Sequence, residues 1–230
     1  MIAVTNYDIL RSLGRGDKAI GMHLIFDFDG TIVNSFCNVI EKFNILADEF
    51  HFRKIDASEI NALRDMSSRE LIKFLKIPLY KLPQVIHKAR KFIHQDITSL
   101  SSFENLPAVL TKLYEAGFVL GILTSNSKEN VTDWLHHANL QPIFQYVHSE
   151  LNFFGKKFML KKLIKKYALK AANVFYVGDE TRDVEAARQS NISSIAVTWG
   201  FNSEKILRQA NPTLIAKTPN DLLTIFNIPA

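Results

Sequence analysis

The stretch His23-Leu-Ile-Phe-Asp27-Phe-Asp29-Gly30-Thr31 decides the fold, because a short apolar run ends in two carboxylates and a glycine. The run Leu24–Phe28 is typical of a strand buried on both faces of a parallel sheet. Asp27 and Asp29 share a face of such a strand, so both carboxyl groups can reach one pocket. There, one can attack phosphorus while the other transfers the leaving group's proton. Gly30-Thr31 supplies a turn whose amides can approach an anion. Taken alone, the pair is equally compatible with two solvated aspartates.

Strand and helix patterns alternate along most of the remaining chain. Further strands are predicted at Val119–Thr124, Val174–Val177 and Ser194–Val197, with a possible edge strand at Thr213–Ala216. Helices are predicted from Pro107 to Gly117, after Gly155, over Thr181–Gln189 and over Glu204–Ala210. This alternation predicts an α/β fold with a parallel sheet and right-handed crossovers. Ligands of such sheets bind beyond the carboxyl ends of the strands.

Residues 35 to about 104 interrupt the alternation with helical patterns and almost no strand signal. Ser67 and Glu70 form a capping-box pattern, and Pro83 is typical of a first helical turn. Because this segment follows the first strand, we expect a helical cap that acts as a lid beside the site. The predicted division is an amino-terminal extension at 1–21, a core at 22–34 and 105–230, and a cap at 35–104. Met22 is a possible natural start.

Composition excludes several other classes of protein. Of the 230 residues, 47% are hydrophobic and 22% are charged, which is ordinary for a soluble globular protein. The net charge of +5 is concentrated in Lys156, Lys157, Lys161, Lys162, Lys165 and Lys166. Helical periodicity places most of these lysines on a solvated face, so we expect no nucleic-acid partner. One cysteine, Cys37, and the lack of a signal peptide or a long apolar stretch predict a cytoplasmic protein without a membrane partner.

Three further polar clusters follow the predicted strands or open a helix. They are Leu123-Thr124-Ser125-Asn126, Gly155-Lys156 and Gly178-Asp179-Glu180-Thr181-Arg182-Asp183. Hydroxyl and amide groups of the first can hold phosphate oxygens, although a helix N-cap explains them as well. A bound phosphate would offset the roughly 0.3–1 kcal/mol by which a helix dipole disfavours Lys156. The carboxylates of the third cluster, Gly178–Asp183, face the same pocket mouth. An N-cap at Asp179 and a surface charge at Asp183 would also explain this cluster.

These four clusters, in this order, closely resemble the motifs of the haloacid dehalogenase superfamily. The matching segments are Asp-Phe-Asp-Gly-Thr-Ile, Leu-Thr-Ser-Asn-Ser, the lysine of Phe-Gly-Lys-Lys, and Gly-Asp-Glu-Thr-Arg-Asp. The resemblance covers residues 22 to about 226 and is greatest to the branch containing phosphoglycolate phosphatase and beta-phosphoglucomutase. It implies a Rossmann-like, doubly wound core with a helical cap.

The resemblance also implies roles for individual residues. Asp27 would be the nucleophile that forms an aspartyl-phosphate, Asp29 the general acid and then base, and Lys156 the cation that neutralises the phosphoryl group, with Lys157 as an alternative. Mg²⁺ would be held by Asp27, the carbonyl of Asp29, and Asp179, with support from Asp183. Phosphate would be bound by Gly30, Thr31, Ser125, Asn126 and Lys156, with Thr124 as the alternative hydroxyl.

The cap leaves the substrate open. Asn34 stands where many relatives carry Asp, which bears on the hinge or on substrate contacts. Arg64, Ser67 or Arg69 can contact the leaving group, but exposed charges and a helix cap are the favoured explanation of this loop. We expect a Mg²⁺-dependent phosphatase acting on a small phosphorylated metabolite, phosphoglycolate-like or a sugar phosphate. A phosphomutase is the alternative, and a non-catalytic phosphate-binding protein is a third interpretation. Oligomeric state is not readable from this sequence.

Overall fold

The computed structural model of the chain describes residues 21–149 and 155–229. The extension predicted at 1–21 therefore lies, except for Gly21, outside the described residues, together with the proposal that Met22 is a natural start. Within the described part, a parallel six-stranded sheet forms the centre of the fold.

The sheet has the order β3-β2-β1-β4-β5-β6, and every paired strand is parallel to its neighbour. Its strands are β1 His23–Phe26, β2 Val119–Thr124, β3 Phe144–Ser149, β4 Val174–Gly178, β5 Ser193–Val197 and β6 Leu214–Ala216. The inner strands are buried almost throughout, which explains their continuous apolar runs. The predicted α/β fold with a parallel sheet is confirmed.

Helices connect the strands and cover both faces of the sheet, as parallel crossovers require. Between β1 and β2 lie α1 Phe36–Phe50, α2 Ile60–Leu63, α3 Ser68–Phe74, α4 Leu82–Asp96 and α5 Leu106–Glu115. The later helices are α6 Lys128–His137, α7 Lys156–Lys166, α8 Thr181–Gln189, α9 Glu204–Gln209 and α10 Pro219–Ile225. Short 3₁₀ turns occur at Ala57–Glu59, Ile97–Ser99, Gln141–Ile143 and Ala171–Asn173.

Helices α1 to α4, which we call the helical insertion, have a hydrophobic cluster of their own. Leu46, Leu75 and Val85 are among its buried members, and it is separate from the cluster beneath α5 and the sheet. Ser67 and Glu70 form both halves of the predicted capping box, and a proline lies in the first turn of α4 as predicted. Residues on the carboxyl side of β1 therefore lead directly into a helical layer beside the strand ends.

Strand β3 was not predicted. Phe144–Ser149 forms the edge of the sheet, and its sequence Phe-Gln-Tyr-Val-His-Ser has exposed or half-buried polar positions instead of an apolar run. An edge strand is covered less than an inner one, so its composition gives a weaker signal. The other predicted strands differ from those observed by no more than a few terminal residues.

The lysines of α7 lie mainly on an exposed face, as helical periodicity predicts, with one exception. Lys161, Lys162, Lys165 and Lys166 are exposed, whereas Lys156 is buried at the start of α7. His136 and His137 are exposed on α6, and the thiol of Cys37 is free. In the part of the chain that the structure describes, no helix combines the length and apolarity needed to cross a membrane.

Candidate active site

The candidate site lies where the chain reverses its direction across the sheet. The chain runs from β1 through β2 to β3 on one side and then crosses to β4 on the other side of β1, so β1 lies at the switch point of the sheet. The Asp27 N–H continues the pairing by donating to the Val177 carbonyl at 2.8 Å. The ends of three adjacent strands thus bring Asp27, Ser125 and Asp179 to one edge of the sheet.

Asp27 is held at both carboxylate oxygens. Its Oδ1 accepts the Phe28 N–H at 2.8 Å, and its Oδ2 accepts a hydrogen bond from Lys156 Nζ. The same ammonium lies 2.5 Å from Asp183 Oδ1. All three side chains are buried, so the ammonium and the two carboxylates form a closed ionic cluster. Burial lowers the pKa of Lys156, but Asp183 and Asp27 outweigh that effect and raise it above its usual value.

Asp179 is fully buried and lies opposite this cluster. Its Oδ1 accepts the Thr31 hydroxyl at 2.7 Å, and its Oδ2 accepts the Phe201 N–H at 2.7 Å. Burial, followed by the charges of Glu180 and Asp183, raises the pKa of Asp179 well above its usual value. The positive charge around the Asp179 carboxylate therefore does not offset its burial and the neighbouring negative charges.

The donor set fits a small hard cation. One carboxylate oxygen from each of Asp27, Asp179 and Asp183 lies within 4.8 Å of the others, and all three residues are buried. Oxygen ligands of this type are those that Mg²⁺ prefers. A divalent ion would also offset the burial and the neighbouring negative charges that raise the pKa of Asp179. These three residues can hold the metal that the sequence predicts.

Gly200 shapes this pocket, although the sequence analysis did not select it. A Cβ at Gly200 would lie 2.3 Å from Asp179 Oδ2 and 2.3 Å from the Gly30 carbonyl oxygen. A Cβ at Gly30, whose φ is +73°, would approach the same Asp179 oxygen to 2.3 Å. Two glycines from separate loops therefore leave the space in which the Asp179 carboxylate lies.

Asp29 differs from Asp27 in its protonation. Burial and then the Asp27 charge raise the pKa of Asp29 to about 6, against the opposing effects of Ser35, Asn126 and Lys156. Its Oδ2 accepts the Asn126 side-chain amide at 2.9 Å. Its Oδ1 is buried without a hydrogen-bond partner among the described residues. A carboxyl group with such a pKa can donate a proton near neutral pH and later accept one.

Three residues predicted to bind phosphate make hydrogen bonds within the protein, and their phosphate-binding role stays a prediction. The Gly30 N–H donates to the Val33 carbonyl at 2.9 Å. Thr31 uses its N–H within the turn and its hydroxyl on Asp179. Asn126 uses its backbone N–H on the Thr124 hydroxyl and its side chain within the protein. The compact turn satisfies its own backbone groups, which the sequence pattern did not reveal.

The hydroxyl groups of Thr124 and Ser125, in the segment that follows β2, have different environments. The Thr124 hydroxyl is fully buried and accepts the Asn126 N–H at 3.0 Å. The Ser125 hydroxyl is half-buried and lies 3.4 Å from Nη2 of Arg182. Glu180 in turn accepts Arg182 Nε at 2.6 Å. Ser125 is thus the hydroxyl that faces a charged group, as expected if it lies near an anion.

Helix α8 begins differently from the N-cap alternative at Asp179. Glu180 is the N-cap, and Asp183 completes a capping box by accepting the Glu180 N–H at 3.1 Å. Asp183 therefore joins the helix start to Lys156 and is buried, not a surface charge. Burial raises its pKa to about 6, although Lys156 acts in the opposite direction.

The loop between α2 and α3 reaches the core, but through a residue that the sequence analysis did not select. The Ser67 hydroxyl is committed to the capping box with Glu70, which agrees with the helix-cap alternative. Ser68 instead donates to Glu180 at 2.9 Å. The Arg64 side chain extends toward the Thr198 carbonyl at 3.5 Å and lies over the Phe36 ring. Arg64 thus lies at the boundary between the insertion and the core.

The loop after β5 fixes that boundary from the other side. Asn202 donates to the Met66 carbonyl at 2.9 Å, and Ser203 donates its N–H to the Arg64 carbonyl at 2.9 Å. Polar residues after a predicted strand are a weak signal, because loops of this composition are common. Neither residue belongs to a recognisable sequence motif.

Comparisons with known proteins agree with this arrangement. A family model described as haloacid dehalogenase-like hydrolase matches residues 24–197. The chain is 35% identical over 200 residues to a phosphoglycolate phosphatase of Synechococcus elongatus, with 87% of this chain and 94% of that protein covered. It is 22% identical over 208 residues to the pyrophosphatase PpaX of Bacillus mycoides, with 89% and 96% covered. The structure of a predicted phosphatase from Clostridium acetobutylicum has the same fold, with a TM-score of 0.76 at 21% identity and coverages of 89% and 97%.

Proposed function

Since this chain belongs to the haloacid dehalogenase-like hydrolases and is a phosphatase of that family, we propose that it hydrolyses a small phosphomonoester through an aspartyl-phosphate on Asp27, with Mg²⁺ as its cofactor. Phosphoglycolate-like compounds and sugar phosphates are the proposed substrates. The observation that carries the proposal is the buried group of Asp27, Asp179 and Asp183, with Lys156 paired to Asp27 and Asp183.

In the first step, the Asp27 carboxylate attacks phosphorus as the bond to the leaving oxygen breaks. The Phe28 N–H and Lys156 fix the orientation of this carboxylate, which supports its role as nucleophile. The Asp29 carboxyl group gives its proton to the leaving alkoxide. The products of this step are an alcohol, the aspartyl-phosphate and an ionised Asp29.

In the second step, water attacks the phosphorus of the aspartyl-phosphate. Asp29 takes a proton from this water, and the bond between phosphorus and the Asp27 oxygen breaks. Inorganic phosphate leaves, and Asp29 is again protonated. A pKa of about 6 supports both roles, because neither protonation state is strongly disfavoured near neutral pH.

Asp27, Asp179, Asp183 and the Asp29 carbonyl would hold Mg²⁺. When bound, the ion would neutralise charge on the phosphoryl group and so reduce its repulsion of an attacking carboxylate. Thr31 and the Phe201 N–H fix Asp179 in this ligand set. Lys156 and the Ser125 hydroxyl are the proposed phosphoryl-binding groups, because each can donate a hydrogen bond to an oxygen at this pocket.

We propose that the helical insertion serves as a cap that opens for substrate and closes for chemistry. Polar contacts join it to the core beside the site, among them the Ser68–Glu180 and Asn202–Met66 hydrogen bonds, while Val39 of α1 and Ile93 of α4 pack against the main hydrophobic cluster. Opening would break the hydrogen bonds beside the site. We also propose a cytoplasmic location, which the single cysteine of the sequence supports.

Phosphate release from a panel of substrates tests the proposed activity. The panel comprises phosphoglycolate, sugar phosphates, nucleoside monophosphates and pyrophosphate, each with Mg²⁺ and with EDTA. We expect Mg²⁺-dependent release from a small phosphomonoester and none from Asp27→Asn. Acid quenching followed by hydroxylamine should label the wild-type peptide that contains Asp27. Turnover in EDTA, or turnover by Asp27→Asn, would contradict the mechanism.

The same experiment separates a phosphatase from a phosphomutase. Both would form the aspartyl-phosphate, but a mutase returns the phosphoryl group to a sugar phosphate instead of to water. A requirement for a sugar bisphosphate, with slow net release of phosphate, would identify a mutase. Steady release without such an activator would support hydrolysis.

A further inference from the structure

A buried chain of side-chain amides leads away from Asp29. Asn126 Nδ2 donates to Asp29 Oδ2 at 2.9 Å, and Asn126 Oδ1 accepts the Asn130 Nδ2 at 2.8 Å. The Ser127 N–H also donates to Asn126 Oδ1, at 2.7 Å. Asn126 and Asn130 are 3% and 1% exposed, so water does not compete for these bonds.

The two donors to Asn126 Oδ1 determine which end of the amide faces Asp29. An amide oxygen only accepts hydrogen bonds, and an amide nitrogen only donates them. If the Asn126 amide were reversed, its nitrogen would face the donors of Ser127 and Asn130, and its oxygen would face the Asp29 carboxyl group. The observed orientation is therefore fixed from the side opposite to Asp29.

Asn130 is itself fixed by the last two turns of α4. Its second Nδ2 hydrogen is directed at the Arg90 carbonyl at 3.2 Å, and its Oδ1 lies 2.7 Å from His94 Nδ1. Since the oxygen of Asn130 cannot donate, His94 Nδ1 carries the proton of that bond. Both the donors and the acceptor of the Asn130 side chain are satisfied, so its orientation is unique.

We propose that Asn130 is a positioning residue for the acid–base chemistry of Asp29. It orients Asn126, whose amide holds Asp29 Oδ2 and leaves the buried Oδ1 for the leaving-group oxygen. Asn130 touches neither the substrate nor the metal in this role. The inference rests on the proposed function, because it requires Asp29 to protonate a leaving group. The competing interpretation is that Asn130 only ties α6 to α4.

A comparison of two leaving groups distinguishes these roles. The p-nitrophenolate ion leaves without protonation, whereas an alkoxide requires the proton of Asp29. The value of kcat/KM reports the steps up to phosphoryl transfer to Asp27, so it is unaffected by later hydrolysis. We therefore compare kcat/KM for p-nitrophenyl phosphate with that for the alkyl phosphate that the wild type hydrolyses best.

Asn130→Asp is the sharpest variant because it keeps the shape and the acceptor but, when ionised, cannot donate to Asn126. We expect kcat/KM for the alkyl phosphate to fall by about 100-fold, within the usual range for loss of general acid catalysis, and that for p-nitrophenyl phosphate by less than about threefold. Asn130→Ala, which adds no buried charge, should show the same selectivity if Asn130→Asp does not fold. Equal losses on both substrates in a folded variant, or no loss on either, would overturn the inference.

Asn44→Ala is the matched control. Asn44 makes two hydrogen bonds with the backbone of Ile55, at 2.9 Å and 2.7 Å, inside the helical insertion. Its removal should lower the melting temperature without changing the ratio of the two kcat/KM values. If the wild type hydrolyses neither substrate, the proposed function fails. If the wild type is active but Asn130 variants keep the wild-type ratio, only the inference about Asn130 fails.

Discussion

The Ser68 hydroxyl of the helical insertion donates a hydrogen bond of 2.9 Å to Glu180, which begins the helix that carries Asp183. Glu180 also pairs with Arg182, and Arg182 lies beside the Ser125 hydroxyl. A single carboxylate thus links the insertion to the proposed phosphoryl-binding group. If the insertion is a closing cap, this bond should favour the closed state.

Ser68→Ala should therefore weaken closure without unfolding the protein. A hydrogen bond to a charged acceptor is worth about 1.5–3 kcal/mol, so we expect kcat/KM to fall by roughly 10- to 150-fold in a protein that stays folded. Ser58→Ala is the control, because the Ser58 hydroxyl donates to Asp56, an exposed residue of the insertion away from the site. In a double-mutant cycle with Glu180→Gln, additive losses would show that the two residues act independently.

Lys156→Gln tests the buried cation. The change leaves Asp27 and Asp183 buried without the ammonium that both contact, and loss of a phosphoryl-binding cation typically costs about 10²–10³ in kcat. The metal-free variant should also lose about 3–5 kcal/mol of unfolding free energy. Kinetics and chemical denaturation measure the two effects. Lys161→Gln, on the exposed face of the same helix, should change neither quantity, and equal effects in both variants would contradict the assignment.

Gly200→Ala should displace the Asp179 carboxylate, because the new Cβ would lie 2.3 Å from Asp179 Oδ2 and 2.3 Å from the Gly30 carbonyl. We expect loss of stabilisation by Mg²⁺, measured as the shift in melting temperature, together with loss of phosphatase activity. Gly121→Ala is the matched control, because its Cβ would lie 2.1 Å from the Tyr146 ring, away from the carboxylates. An unchanged response to Mg²⁺ in Gly200→Ala would show that this loop does not shape the metal site.

The sequence predicts the inner strands of the core better than it predicts the contacts of individual residues at the site. The apolar run before Asp27 correctly indicated an inner strand, because an inner parallel strand requires apolar residues on both faces. Strand β3 and Gly200 were missed, since an edge strand can be half polar and one glycine in a loop has no periodicity. Asn126 was predicted to lie at the site, but its bond to Asp29 depends on the amide of Asn130, four residues along the chain in the first turn of α6. Hydrogen-bond direction in a compact loop is a property of the folded chain.

The raised pKa of Asp179 predicts an unusual dependence of metal-free stability on pH. A carboxyl group whose pKa is higher in the folded state than in the unfolded state binds protons preferentially when folded. Its contribution to the free energy of unfolding therefore increases as pH falls through the folded pKa toward the unfolded value. Asp29, with a pKa of about 6, contributes in the same direction. Burial lowers the pKa of His23 and of His148, so their contribution to the free energy of unfolding decreases as the pH falls below their usual pKa.

Comparison with Asp179→Asn isolates the carboxylate, since both proteins contain the same histidines. Between pH 8 and pH 5.5, we expect the metal-free wild type to gain stability relative to this variant, as measured by urea denaturation in EDTA. Mg²⁺ and protons compete for the same oxygens, so the rise in melting temperature on adding Mg²⁺ should be larger at pH 8 than at pH 5.5. Asp179→Asn should show little Mg²⁺ response at either pH. If Mg²⁺ stabilises the variant as strongly as the wild type, the ion binds elsewhere and Asp179 is not one of its ligands.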